Sequence, residues 1–71
     1  MEYKELAKYE DKYVIITTKR GERLYRRVID CQPVYVLLED AAGYQEQLLL
    51  RSLRKVRLDT DTMVMSDKHG V

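Results

Sequence analysis

Arg23, Tyr25 and Arg27 are the residues in this chain whose types and spacing most readily do chemistry. Placed at every second position, they share one side of a β-strand, and Arg26 points to the other. Guanidinium groups around a phenol ring make a surface suited to single-stranded RNA. Arginine neutralises phosphate, and the ring offers a stacking platform worth about 1–3 kcal/mol per base. Lys19 and Arg20, just upstream, extend the same positive field. A second basic set, Arg51, Lys55 and Arg57, interleaves with Leu53, Val56 and Leu58. The competing reading is a solvated outer face on which Tyr25 merely covers the sheet.

Charge is distributed in blocks although the formal net charge is only +1. Residues 19–27 carry five bases and one acid, and residues 51–57 carry four bases and no acid. Between them lie Asp30, Glu39, Asp40 and Glu46, with no base. Such segregation allows a basic face for polyanions on a nearly neutral protein. Equally, the basic strands could pair with the acidic stretch. A protein partner would use the acidic segment, with Asp30, Glu39 and Asp40 around the apolar Tyr35 and Leu37.

Catalysis has little to work with. Cys31 is the single cysteine and His69 the single histidine, the latter near the C-terminal end. They suggest no nucleophile–base pair and no zinc ligand set, so neither metal nor cofactor is expected. A lone cysteine usually behaves as a small hydrophobe. With no apolar leader and no apolar run near the roughly 20 residues that cross a bilayer, a reducing cytoplasm is the expected location.

The elements that must hold these residues can be read from periodicity. Tyr3, Leu6 and Ala7 fall at helical spacing within a charged segment, predicting a short helix over residues 2–11. Runs rich in β-branched residues predict strands at 13–18, 24–31, 34–38, 44–51 and 54–58. Gly21 marks the first turn, Pro33 a break, and residues 39–43 another turn. Val14, Ile16, Leu24 and Val28 are the expected inward positions; in the third strand Val34, Val36 and Leu38 share one face and Tyr35 and Leu37 the other, so both faces need cover. Five short strands with tight links point to a mainly β fold, a small barrel or sandwich, over residues 1–62. Residues 63–71 form a tail in which Met63–Met65 could add a short strand. At 71 residues the core is thin, because such a chain hides only about 60% of its surface. Small domains often oligomerise for that reason, so a homo-oligomer is expected.

The order helix, five strands, turn glycine and apolar third strand resembles the Sm-like (SH3-like) small barrel. Gly21-x-x-Leu24-x-x-x-Val28 followed by Val36-Leu37-Leu38 is similar to the middle of the RNA chaperone Hfq. Lys19-x-Gly21-Glu22-x-Leu24, Asp30, Tyr35-Val36, Glu39 and Ala41-Ala42-Gly43 resemble the Rho-binding antiterminator family, Rof. The resemblance implies an Sm-like barrel acting in RNA metabolism, through RNA or through a termination factor such as Rho. In Sm-like rings the fourth and fifth strands pair between neighbours, which would gather Arg51, Lys55 and Arg57 around an opening. Leu49-Leu50-Arg51 stands where the chaperone family has Tyr-Lys-His, and Arg26 where such barrels usually bend at glycine.

Overall fold

The computed structural model describes residues 1–60. The expected tail at 63–71, with the Met63–Met65 strand and His69, lies outside the described residues. Five antiparallel strands follow a short helix: α1 (Tyr3–Ala7), β1 (Tyr13–Thr18), β2 (Arg23–Cys31), β3 (Tyr35–Glu39), β4 (Gln45–Leu49) and β5 (Leu53–Leu58). A 3₁₀ turn, Leu50–Ser52, joins the last two. The sheet order is β4-β3-β2-β1-β5, so the fold is mainly β and barrel-like. Among the described residues, hydrogen bonding does not close the wall: β4 and β5 are its two edges.

The core follows the period of two. Val14, Ile16, Val28, Val36 and Leu38 are fully buried and pack with Leu6, Cys31, Leu50 and Leu53. Leu24 is half-buried against this cluster. Gly21 (φ 91°) and Gly43 (φ 89°) occupy the turns with left-handed backbone, which costs glycine nothing.

Several expectations need correction. The helix spans five residues, not ten. Beyond Ala7 the chain makes tight turns, with the Tyr9 N–H donating to Leu6 and the Glu10 N–H to Ala7. Asp11 then takes a positive φ of 65°. The Asp11 N–H donates to the Val28 carbonyl and the Val28 N–H to that of Lys12, so β2 captures the segment. Val34, expected to open the third strand, lies outside it and is 65% exposed. The Gln32 N–H donates to Tyr35 O, closing a turn whose tip is Pro33 and Val34. The fourth strand stops at Leu49, because the 3₁₀ turn swings Leu50 into the core.

Bending does not need a glycine at position 26. The β2–β3 register shifts between Val28 and Asp30, and that bulge increases the local twist. Arg26 instead reaches from β2 past β3 to Glu46 on β4, with Nε 2.9 Å from Oε1. Its Nη1 donates to the Tyr25 carbonyl at 3.0 Å.

Candidate nucleic-acid interface

Strand register decides which basic residues meet. Thr17 on β1 faces Arg23 on β2 and Lys55 on β5. Ile15 faces Tyr25 on one side and Arg57 on the other. Two rows therefore cross one face of the sheet, Lys55–Thr17–Arg23 and Arg57–Ile15–Tyr25. This face lies opposite the core, yet Ile15 is only 4% exposed and does not belong to the core cluster. The ring of Tyr25 and the aliphatic stem of Arg57 stand on either side and can shield it, as amphipathic side chains do.

Arg23, Lys55 and Arg57 are exposed, and among the described residues none of them makes an ion pair. Tyr25 is 53% exposed between them. Lys19 and Arg20 sit at the adjoining turn, where the Lys19 N–H donates to the Ser52 carbonyl at 3.0 Å. That bond brings the backbone at Arg51 against the same turn. Sequence placed the two basic segments separately; the fold puts Lys55 and Arg57 on the face that holds Arg23 and Tyr25.

Arg27 has a different task. It faces Glu39 across β2 and β3, with Nη2 3.1 Å from Oε1, and Asp11 approaches Nη1 at 3.8 Å. A guanidinium between two carboxylates has little positive field left for phosphate, so the expected Arg23/Tyr25/Arg27 stripe ends at Tyr25. The cationic surface is displaced toward the β1–β2 turn, and the other end of the face is acidic.

The acids expected to contact a protein are engaged internally. Asp30 accepts from Gln32 Nε2 at 2.9 Å, and Glu39 holds Arg27 and Gln45. Asp40 Oδ1 accepts the N–H groups of Ala42 and Tyr44 at 2.9 and 3.0 Å, fixing the β3–β4 turn. Tyr35 and Leu37 are half-buried, beside Leu49 and Gln47 on the edge strand.

Cys31 is buried, with Sγ 4.0 Å from the carbonyl oxygens of Tyr3 and Gln32. Burial pushes its thiol pKa up, and the charges of Glu10 and Asp30 add to this. Two results follow. A thiol reagent should label Cys31 slowly in the folded protein and rapidly in urea. Because the folded form resists thiolate, this group's contribution is complete at neutral pH. It is lost as pH rises above about 8.5, where the unfolded thiol ionises. Urea midpoints at about pH 7 and pH 9.5 should therefore fall less for Cys31→Ala than for the parent; equal declines would refute the linkage.

Among the described residues there is no cluster of His, Cys, Asp and Glu that could hold a metal ion. No described helix is long and apolar enough to cross a membrane. Comparison with protein-family models, with curated proteins and with solved structures finds no match for this chain.

Proposed function

We propose that this protein is a non-enzymatic regulatory module of RNA metabolism that binds single-stranded RNA on the face of β1, β2 and β5. One observation carries the reading: three exposed cations that make no ion pair among the described residues, Arg23, Lys55 and Arg57, surround a half-exposed tyrosine. Cations of this kind bind the backbone without regard to sequence, while the ring accepts a stacked base. Lys19, Arg20 and Arg51 add to the field at the turn. In a ring of the Sm-like kind, the open edges of β4 and β5 would join neighbouring copies and repeat the face.

Titrating labelled single-stranded RNA at several salt concentrations tests this. Each phosphate contact on a single strand contributes about −0.7 to the log–log salt slope, so three contacts give about −2. No binding at low salt removes the reading.

A second reading has its own support. Val34 (65% exposed) and Leu49 (41% exposed) adjoin Tyr35 and Leu37 at the β4 edge, leaving apolar surface for a protein such as a termination factor. A partner retained from lysate after nuclease digestion favours this reading, and one lost on digestion favours RNA.

A further inference from the structure

We propose that Tyr13 and Tyr25 form a clamp for one nucleobase, and that the clamp prefers bases bearing an exocyclic amino group over uracil. This rests on the RNA reading and names a subsite within it.

The two rings come from adjacent strands. Tyr13 faces Arg27 while Ile15 faces Tyr25, so the tyrosines are diagonal neighbours on one face. Diagonal side chains across an antiparallel pair stand about 7–8 Å apart. A flat ring placed between two others needs that spacing, because carbon atoms meet best at about 3.5–4.0 Å on each side. Tyr13 is 51% exposed and Tyr25 53%, so about half of each side chain stays open to solvent even though Tyr25 stands beside the buried Ile15. Together they line a depression of about 150 Å³, bounded also by Arg26, Glu39, Ala41 and Asp59.

Glu39 sets the preference. Its Oε1 accepts from Arg27 Nη2 at 3.1 Å and its Oε2 from Gln45 Nε2 at 3.4 Å. Each carboxylate oxygen carries a second lone pair, so the group can still accept from a guest, but it never donates. Adenine and cytosine present amino donors there, and guanine presents two N–H groups side by side, which suit a carboxylate. Uracil presents carbonyl oxygens flanking one N–H and would meet repulsion. A cationic guest would suit the tyrosines and the carboxylate too. Arg23, two residues along β2 from Tyr25, and Arg57, across Ile15, oppose it and instead attract the phosphates flanking a base.

The experiment compares a short uridine oligomer with versions whose central uridine is replaced by guanosine, adenosine or cytidine. The guanosine version should bind about tenfold tighter than all-uridine, since hydrogen bonds to a charged group are among the stronger ones. Adenosine and cytidine should fall between. Tyr13→Ala should weaken the guanosine oligomer at least fivefold through lost stacking, with Tyr13→Phe restoring it. Glu39→Gln should erase the guanosine preference, read as the ratio of guanosine to all-uridine affinity, whatever the released Arg27 adds to both. Equal affinity of all oligomers for the parent protein overturns the clamp and leaves the RNA reading standing. Absence of binding to any oligomer overturns both. Tetramethylammonium quenching the tyrosine fluorescence of the parent but not of Tyr13→Ala, with no base preference, would assign the slot to a cation and overturn the proposal.

Discussion

Replacing Arg23, Lys55 and Arg57 together by alanine should lower affinity for single-stranded RNA about 100-fold at about 0.1 M salt and reduce the salt slope by about 2. The magnitude follows from three contacts, each scaling affinity with salt to roughly the power 0.7. Folding should survive, because all three side chains are exposed and make no ion pair among the described residues. Arg27→Ala is the informative contrast. It removes the bonds to Glu39 and Asp11, a half-exposed pairing worth about 0.2–1 kcal/mol of stability. Its effect on affinity should stay within about threefold, since a phosphate gains little from a neutralised guanidinium. If Arg27→Ala weakened binding as much as the triple change, the site would be misplaced along β2.

Leu38→Ala should leave little cooperative unfolding transition at room temperature. Leu38 is fully buried at the middle of the sheet, between Val28 on β2 and Glu46 on β4. Truncating a buried leucine costs about 2–5 kcal/mol. A 71-residue chain has only roughly 4–10 kcal/mol in total at about 0.05–0.15 kcal/mol per residue. Leu38→Met keeps the volume and should cost less than about 1.5 kcal/mol. Tyr44→Ala, at a position 76% exposed, should shift the urea midpoint hardly at all. A Leu38→Ala midpoint close to that of Tyr44→Ala would show that the core does not hold the sheet together.

The Arg27–Glu39 pair shows why a turn alone does not fix its hairpin. The tip is Pro33 and Val34, with Gln32 opposite Tyr35, and uninterrupted pairing outward from it would set Arg27 against Asp40. The bulge between Val28 and Asp30 takes up one extra residue on β2, so Glu39 stands opposite Arg27 instead. Opposite charges then meet across the strands, as cross-strand pairs favour.

Local sequence determined roughly where the strands lie and which residues of each share a face. The β-branched run at Tyr13–Thr18 is a strand over those residues, and the alternation of Val14 with Ile16 and of Val36 with Leu38 buries those four. Each depends on neighbours one or two residues away, where backbone sterics and apolar periodicity act. Tertiary structure alone decided where the helix ends, since the N–H of Asp11 finds its acceptor on β2. It also decided the functional face. Lys55 and Arg57 join Arg23 and Tyr25 only because β5 returns to pair with β1, which no short-range pattern records. Burial is a property of a strand's own period, but the company a surface charge keeps depends on which distant strand lies alongside.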